Sequence, residues 1–386
     1  MKSTQCKTSR FVAATLLIFL TAFLAYNSII TETSDANVYE VVQDSTSVIK
    51  QKSEQEKTDT KLRRVLSANF KDMKNSSATT NSPRIDSTAF PSESQQVFPY
   101  VKNKDMGNGK IIKVMTHYDP VMDPVLPCPR DRMIVPNIVH WIWFYANPKT
   151  MLFHHYVCAL SAVRIQKPER IFLWHDTRPT GQYWDMLVTE ARSSGIEMVY
   201  KKTELPEKVF DQALSGLEHK IDVQRLRAIT TFGGIYMDFD VIILKPLDPL
   251  FCYNVTLGLD SDRALFNGLI VAAPDAQFLH DWYDEYREYR PNVWNYNSVQ
   301  VPFELWQRHP DLIHVEHTTI SRPSWFETQY IYGTRFRYDW SHNYCVHTWY
   351  RFHKEEYNHT SIMSVESTLG DMFRYVLAHG EPAAQM

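Results

Sequence analysis

The sequence lacks the patterns by which nucleic acid, zinc and phosphate are most often bound. Its formal net charge is −3, so there is no basic field that would attract nucleic acid. It contains no Cys-x-x-Cys pair and no histidine-rich tract that would indicate a zinc site. It also lacks a P-loop and a Gly-x-Gly-x-x-Gly turn, the two common loops that hold phosphate by backbone amides. Any phosphate must therefore be held in another way.

Charge is also absent from one stretch near the start of the chain. Residues 11–30, FVAATLLIFLTAFLAYNSII, carry no charged side chain, and about 20 apolar residues suffice to cross a bilayer as a helix. Lys2, Lys7 and Arg10 precede the stretch, which by the positive-inside rule keeps residues 1–10 in the cytosol. A cleaved signal peptide is the alternative, although the apolar run is longer than the usual core of such peptides. The pattern favours a signal-anchor, with the rest of the chain on the lumenal side as in a type II membrane protein.

Large apolar residues are scarce in residues 31–126, which are rich in Ser, Thr, Lys, Glu and Gln. Such a composition cannot bury enough apolar surface to offset the loss of chain entropy on folding. We therefore expect a flexible lumenal stem over residues 31–126, with some order beginning near its end. The folded domain is predicted to span residues 127–386.

Cysteine is scarce as well, with five residues in the chain. Cys6 falls in the predicted cytosolic tail, and the other four lie beyond the stem, at Cys128, Cys158, Cys252 and Cys345. An even number suits an oxidising compartment, and four cysteines allow three pairings among which the sequence does not choose. Three glycosylation sequons would be accessible on the same side, at Asn75, Asn254 and Asn358.

Apolar and amphipathic segments alternate from about residue 128 onward. MIVPNIVHWIWF, RIFLWHD and IEMVY predict strands, and LFHHYVCALSAVRIQ and QYWDMLVTEARSSG predict helices between them. Strands separated by helices imply parallel pairing through right-handed crossovers, and hence an α/β fold with a mostly parallel sheet. Ligands bind such sheets at the carboxyl ends of the strands, which here are the loops after Trp143 and after Asp176.

Two aspartates interrupt one of the most apolar segments, GGIYMDFDVIILKP at residues 233–246. The preceding IDVQRLRAITTF predicts a helix that ends at the glycine pair, with Asp222 and Arg225 on one face. The following segment predicts one strand whose alternate residues are apolar. This period of two places Asp238 and Asp240 together on the other side of the strand.

A pair of carboxylates in this setting has two interpretations. The pair could lie at a strand end and face water, or pair with Arg225 and Lys245. Alternatively it could hold a divalent cation, because Mg²⁺ and Mn²⁺ prefer hard oxygen ligands. The apolar strand, the glycine turn and the adjacent helix favour the second interpretation. The cation would hold a sugar diphosphate and offset the charge on a departing nucleoside diphosphate.

The segment IDVQRLRAITTFGGIYMDFDVIILKPL resembles the sugar-binding region of the DXD glycosyltransferases of family 32. That family includes α-1,4-galactosyl- and α-1,4-N-acetylglucosaminyltransferases of the Golgi and yeast-type α-1,6-mannosyltransferases. Its pattern is an Asp, an Arg three residues on, and then Gly-Gly-[IV]-Tyr-[LM]-Asp-x-Asp, which is matched by Asp222, Arg225, Gly233, Gly234, Tyr236, Asp238 and Asp240. The resemblance implies a GT-A fold, a Rossmann-like α/β domain, with Mn²⁺ or Mg²⁺ bound by Asp238 and Asp240.

Other segments extend the resemblance over residues 134–351. VPNIVHWIW resembles the opening strand of the family and implies that Trp143 stacks on the nucleotide base. ALFNGLIVAAP implies that Asn267 lies near the donor sugar, and YCVHTWYR implies that His347 is a third metal ligand. By the same resemblance Asp222 accepts sugar hydroxyls, and Arg225 reaches a phosphate or a hydroxyl.

Two departures from the family pattern concern different parts of the site. Residues 294–306, WNYNSVQVPFELW, replace a Gly-His-x-Gly-Pro-type segment of the α-1,4-transferases, which leaves the acceptor and the linkage open. Phe239 replaces the usual small residue between the two aspartates. We expect its ring to point to the apolar side of the strand and to have little effect on the metal.

The resemblance implies a retaining, metal-dependent hexosyltransferase that moves a sugar from a nucleotide sugar, such as a UDP-hexose, to an acceptor hydroxyl. The acceptor would be a glycan, a glycolipid or a glycoprotein, and the enzyme would be held in the Golgi membrane with its catalytic domain in the lumen. The alternative is a catalytically inactive, membrane-anchored protein that binds glycans. The altered segment at residues 294–306 is its best support, whereas the intact Asp-x-Asp, Asp222, Arg225 and the segment with His347 argue against it.

Overall fold

The computed structural model describes residues 100–105, 111–124, 127–144, 150–353 and 355–378. The predicted cytosolic tail, the predicted anchor and most of the predicted stem lie outside these ranges. Within them, no helix combines the length and the apolar character that a membrane span requires.

The strands of the described residues are numbered here in chain order. They are β1 Tyr100–Asp105, β2 Ile111–Thr116, β3 Ile138–Trp143, β4 Arg170–His175, β5 Glu197–Lys202, β6 Lys208–Val209, β7 Gln212–Ala213, β8 Gly234–Met237, β9 Val241–Ile243, β10 Val255–Ser261, β11 Ala264–Ala272, β12 His314–Glu316, β13 Phe336–Tyr338 and β14 Cys345–His347.

The α-helices of the described residues follow the same convention. They are α1 Phe153–Ser161, α2 Gln182–Ser193, α3 Gly216–Phe232, α4 Gln277–Asp284, α5 Val301–Arg308, α6 Gln329–Tyr332 and α7 Thr368–Ala378. A π-helical turn, Ala162–Gln166, continues α1. The predicted strands and helices between residues 134 and 232 are all present, with ends that differ by a few residues.

The central sheet has seven strands in the order β12-β10-β11-β8-β3-β4-β5. Strands β8, β3, β4 and β5 run parallel to one another, and β12 runs parallel to β10. The pairs β10–β11 and β11–β8 are antiparallel. The mostly parallel sheet confirms the predicted α/β class, and its arrangement fits the GT-A type.

Apolar side chains cover both faces of this sheet. Trp141 and Trp143 of β3 point into one buried cluster, whereas Ile142 and the following Phe144 belong to a second cluster. Strands that are buried on both faces are typical of parallel sheets covered by helices. The ends of the strands are therefore the places where polar side chains can meet.

The glycine pair between α3 and β8 is required by backbone geometry. Gly233 and Gly234 have φ angles of +62° and +101°, in the region that glycine adopts most easily. A Cβ atom at Gly234 would lie 2.4 Å from the carbonyl oxygen of Ile138. The pair thus lets the chain turn from α3 into β8 directly beside β3.

The prediction of one continuous strand through the two aspartates is wrong. β8 ends at Met237, and β9 begins at Val241 and pairs with β14 in a separate two-stranded sheet. Asp238 donates its N–H to the carbonyl of Gly268 (2.8 Å), and the N–H of Val241 then turns back to the carbonyl of Asp238 (3.1 Å). The aspartates lie in a turn between two strands because the partner strand changes there.

Part of the segment predicted as a stem is folded. β1 and β2 form an antiparallel pair, and β13 joins β2 in parallel, so residues before 127 contribute to a three-stranded sheet. Of the three possible cysteine pairings, the structure contains Cys128–Cys252, while Cys158 and Cys345 are buried thiols. The disulfide joins the chain ahead of β3 to the chain ahead of β10.

Candidate functional site

The turn at residues 238–240 is built around Asp238. The hydroxyl of Tyr236 donates a hydrogen bond to Asp238 Oδ1, and the backbone N–H of Asp238 is held by Gly268. Gly268 leaves no room for a side chain, because a Cβ atom there would lie 2.5 Å from the ring of Phe266 and 2.9 Å from Asp238 Oδ2. The carboxylate of Asp238 is therefore fixed at the end of β8.

Helix α3 brings a buried ion pair to the same place. Asp222 and Arg225 are each only 6% exposed. One terminal nitrogen of the Arg225 guanidinium lies 3.3 Å from Asp222 Oδ1, and the other lies 3.6 Å from Asp238 Oδ2. The guanidinium also lies over the ring of Tyr236, 4.6 Å from its centroid. Arg225 thus connects the helix to the first aspartate of the motif.

Asn267 on β11 completes this side of the site. Its side-chain amide donates to Asp222 Oδ1 (3.0 Å), and its backbone carbonyl oxygen accepts from the guanidinium of Arg225 (2.8 Å). The three residues assigned to the donor sugar by resemblance, Asp222, Arg225 and Asn267, therefore contact one another. Together with Asp238 they form a continuous polar cluster where β8 ends beside the middle of β11.

Asp240 has a different partner, His347, at the end of β14. The pairing of β9 with β14 places His347 opposite Val241, next to the turn. Nε2 of His347 lies 3.1 Å from Oδ2 of Asp240, and the imidazole also contacts the ring of Trp349 at a tilt of 41°, with 3.8 Å between ring centroids. The side chains of Asp238, Asp240 and His347 remain 28%, 23% and 12% exposed, so a ligand can reach all three.

These environments move the pKa values of the two aspartates in opposite directions. Burial raises the pKa of Asp238 above its usual value, although Arg225 acts against the shift. Burial acts the same way on Asp240, but the adjacent His347 outweighs it and holds the pKa of Asp240 below its usual range. Burial lowers and Asp240 raises the pKa of His347, and the net change is upward. Asp240 consequently stays ionised at a lower pH than Asp238 does.

The predicted metal ligands are brought together only in part. Asp238 and Asp240 supply carboxylate oxygens and His347 an imidazole nitrogen, donors that suit Mn²⁺. Within the ranges described, however, no group of three His, Cys, Asp or Glu side chains is preassembled to hold a metal ion. Asp238 is directed to Tyr236 and Arg225, and Asp240 is directed to His347. The donor set fits a divalent cation in its chemistry, and the carboxylates would have to give up these contacts to bind one.

Trp143 does not lie where stacking on a nucleotide base would require it. It is 1% exposed, and its ring meets Phe239 and His155 edge-on, at 5.0 and 5.9 Å between centroids. The alternation of β3 directs Trp143 into the core, so in this structure it presents no open face to a base. Phe239 is 5% exposed, in agreement with the expectation that its ring points to the apolar side.

A cavity of about 510 Å³ opens at the carboxyl ends of the parallel strands. Phe144 after β3 and Asp176 after β4 line it, and Leu217 and Lys220 at the start of α3 close the other side. These are the strand ends at which the sequence predicted a ligand. Another cavity, of about 520 Å³, lies among α1, α2 and α7 and includes none of the predicted site residues.

Two residues next to the turn were not identified from the sequence. Thr348 directs both its N–H and its hydroxyl to the carbonyl of Asp240, at 2.8 Å each, and His154 on α1 contacts the same hydroxyl. Thr348 directly follows His347, which was a usable signal. Nothing in the spacing of the sequence pointed to His154, because α1 approaches the turn only in three dimensions.

One region of the chain matches a known protein family. Residues 157–256, 100 of the 386, match the family described as the glycosyltransferase sugar-binding region containing the DXD motif. The match includes α3, β8 and the turn with Asp238 and Asp240. The match confirms, over this region, the resemblance to the DXD glycosyltransferases that the sequence motifs indicated.

A curated relative and two solved structures are also similar. Glucan organizing enzyme 1 of Cryptococcus neoformans var. grubii serotype A (strain H99) is 29% identical over 211 residues, which cover 50% of this chain and 56% of the relative. The chain thus spans little more than half the length of that protein. The glycosyltransferase GlyE of Streptococcus pneumoniae TIGR4 in its apo form is 13% identical, with 62% and 60% coverage and a TM-score of 0.37. Mouse xyloside xylosyltransferase 1 is 12% identical, with 55% and 96% coverage and a TM-score of 0.37.

Proposed function

We propose that this chain, which carries a DXD sugar-binding region, is a retaining glycosyltransferase that moves a hexose from a nucleotide sugar to an acceptor hydroxyl. The observation that carries the proposal is the contact of Asp222, Arg225, Asn267 and Asp238 in one polar cluster beside the Asp240–His347 pair. A lone Asp-x-Asp on a protein surface would need no such arrangement.

The donor sugar is assigned to the cluster formed by Asp222, Arg225 and Asn267. A hexose presents several hydroxyls, which both donate and accept hydrogen bonds. The carboxylate of Asp222 can accept from them, whereas the amide of Asn267 can donate to them and accept from them. The guanidinium of Arg225 lies between Asp222 and Asp238, and its positive charge offsets the cost of placing two carboxylates so close together.

The diphosphate is assigned to the turn, with a divalent cation, Mn²⁺ or Mg²⁺, held by Asp240, Asp238 and His347. The ion would supply positive charge beside the diphosphate as the sugar departs. Asp240 suits this role because its low pKa keeps it ionised. The absence of a glycine-rich phosphate loop from the sequence supports the same assignment.

The nucleoside is assigned to the cavity at the strand ends. The cavity adjoins the first turn of α3, and the polar cluster lies further along the same helix. Phe144 and Leu217 offer apolar surface, and Asp176 is placed to accept hydrogen bonds from a base or a ribose. Trp143 has no part in this assignment, since its ring is buried.

In the reaction, the bond between the anomeric carbon and the diphosphate oxygen breaks, and its electron pair leaves with the diphosphate. The acceptor oxygen forms the new bond on the face that the diphosphate has left, which retains the configuration. The acceptor proton passes to an oxygen of the departing diphosphate. Asp222 and Asn267 keep the sugar oriented through this exchange.

The location of the enzyme is part of the proposal. We assign the folded domain to the Golgi lumen, held by the predicted anchor at residues 11–30, which lies outside the described residues. The Cys128–Cys252 disulfide supports an oxidising compartment. Asn254 and Asn358, the sequons in the described residues, are both exposed, as glycosylation would require.

The test uses the purified full-length chain with a panel of nucleotide sugars and Mn²⁺, and release of the nucleoside diphosphate is measured. Hydrolysis without an acceptor tests the donor site, and oligoglucosides belong in the acceptor panel because the Cryptococcus relative is named for glucan. Asp240→Asn should abolish release, and Asp311→Asn, an exposed carboxylate elsewhere, should not. A wild-type chain that binds glycans but releases no diphosphate from any donor would instead support the inactive glycan-binding protein.

A further inference from the structure

Thr348 lies where β14 reaches the turn, and its side chain is completely buried. Its backbone N–H and its hydroxyl oxygen both lie 2.8 Å from the carbonyl oxygen of Asp240. Because a carbonyl oxygen can only accept, the hydroxyl of Thr348 must donate, and its one proton is committed to Asp240. Two hydrogen bonds from one residue therefore converge on the peptide that follows Asp240.

His154 determines the orientation of that hydroxyl. Its Nε2 lies 2.6 Å from Oγ1 of Thr348, and since the hydroxyl proton is already used, the imidazole must donate. Burial lowers the pKa of His154 to about 3, so the ring is neutral and carries its single proton on Nε2. The hydroxyl is thus directed towards Asp240 by the helix.

The opposite side of Thr348 is held as well. The hydroxyl of Tyr332 donates to the carbonyl oxygen of Thr348 at 2.8 Å. The residue is therefore fixed at its N–H, its side chain and its carbonyl. Because His347 precedes Thr348 and the turn carries Asp240, the same bonds determine how the imidazole and the carboxylate face each other.

We propose that Thr348, oriented by His154, is a positioning residue that fixes the peptide of Asp240 and so aligns the Asp240 carboxylate with His347. Thr348 acts through Asp240 and touches no reacting group. Its effect on cation binding rests on the proposed function, whereas its effect on geometry does not. Partners that orient metal ligands typically contribute about 10- to 100-fold in metal affinity.

The experiment compares three variants of the purified full-length chain. Thr348→Val keeps the shape of the side chain and removes the hydroxyl, and Thr348→Ser restores the hydroxyl. Thr368→Val is the matched control, because Thr368 is also buried, at 1% exposure, and its hydroxyl accepts the N–H of Tyr338 at 2.9 Å. The Thr368→Val variant would lose one buried hydrogen bond that has no link to the turn.

Binding of Mn²⁺ in the presence of UDP is measured from the electron paramagnetic resonance signal of free Mn²⁺, together with the thermal midpoint. Thr348→Val should weaken Mn²⁺ binding by about 10-fold or more. Thr348→Ser and Thr368→Val should bind Mn²⁺ as the wild type does, although Thr368→Val should also lower the midpoint. If Thr348→Val fails to fold, His154→Phe removes the donor to Thr348 and should weaken binding in the same direction.

A crystal structure of Thr348→Val provides a readout that does not depend on the metal. We expect the Asp240–His347 separation to lengthen beyond hydrogen-bond distance. If that separation and the Mn²⁺ affinity are both unchanged, or if Thr348→Ser behaves as Thr348→Val does, the inference is wrong. If the wild type binds no Mn²⁺ but the separation lengthens in Thr348→Val, the positioning role stands and the metal part of the proposed function fails.

Discussion

Nε2 of His347 at the end of β14 lies 3.1 Å from Oδ2 of Asp240 in the turn between β8 and β9, although the two residues are far apart in the sequence. On the other side of the turn, Arg225 lies 3.6 Å from Asp238. Each carboxylate of the motif therefore has its own nitrogen-bearing partner, His347 from β14 for Asp240 and Arg225 from α3 for Asp238. This division explains how two like charges are tolerated at the edge of an apolar core.

Replacement of His347 by glutamine should weaken binding of the divalent cation. The variant removes the imidazole nitrogen that we assign to the cation beside Asp240, so we expect divalent-cation affinity and donor hydrolysis to fall roughly 10- to 100-fold. Titration of donor hydrolysis with Mn²⁺ measures the change. His309→Gln, at an exposed position outside the site, is the control. Equal Mn²⁺ requirements in the two variants would contradict the role of His347.

Replacement of Arg225 by methionine should destabilise the fold. The guanidinium is buried between Asp222 and Asp238, and its removal leaves the buried Asp222 and the partly exposed Asp238 without a cationic partner. We expect a loss of about 3–5 kcal/mol in the free energy of unfolding, measured by urea denaturation. Arg227→Met is the matched control, because Arg227 is exposed and contacts the hydroxyl of Tyr283. Similar losses in both variants would argue against a buried ion-pair cluster.

Asp222 should make stability depend on pH. Burial raises its pKa from 3.8 to about 6, despite the adjacent Arg225. Between these values the folded chain retains a proton that the unfolded chain has lost, so the contribution of Asp222 to stability is highest below pH 4 and falls as the pH rises to 6. The shift corresponds to about 3 kcal/mol.

The measurement is the free energy of unfolding of the wild type and of Asp222→Asn at pH 4 and pH 7. The variant cannot lose a proton at this position, so its stability relative to the wild type should increase with pH. Two pH profiles that run parallel would show that the pKa of Asp222 is not raised.

Replacement of Gly268 by alanine should disturb Asp238 directly. The new Cβ would lie within 3 Å of both Asp238 Oδ2 and the ring of Phe266, and overpacking of this kind costs about 1–3 kcal/mol. We expect lower stability in urea and weaker Mn²⁺ binding. Gly195→Ala is the control, because its Cβ would meet no atom within 4 Å while φ is +75°. This variant should lose stability but bind Mn²⁺ as the wild type does. Weaker Mn²⁺ binding in both variants would point to a general effect of unfolding.

The parts of the fold that local pattern controls were predictable. The alternation of apolar strands and amphipathic helices gave the α/β class, and the glycine pair correctly marked the end of α3. The spacing of Asp222 and Arg225 predicted one helix face, and in the structure Arg225 lies between Asp222 and Asp238. These features depend on hydrophobic period and backbone conformation, which neighbouring residues determine.

Other features depended on partners that are distant in the sequence. The strand through the aspartates breaks because β9 leaves the central sheet to pair with β14, and period alone cannot reveal a change of partner. The same limit applies to Trp143, which an inward position on β3 buries against Phe239. The Cys128–Cys252 pairing and the contact of His154 with Thr348 likewise required the folded chain.

The amino-acid order alone was sufficient to predict the polar residues of the candidate site, since two carboxylates, a glycine turn and an Asp–Arg helix face are local features. Only the tertiary structure decided which side chain faces each carboxylate, and which buried hydroxyl holds the turn between them. The physical reason is the short range of hydrogen bonds and buried ion pairs. The contacts of His347 with Asp240 and of Arg225 with Asp238 span 3.1 and 3.6 Å, and they are established only when β14, α1 and α3 pack around the turn.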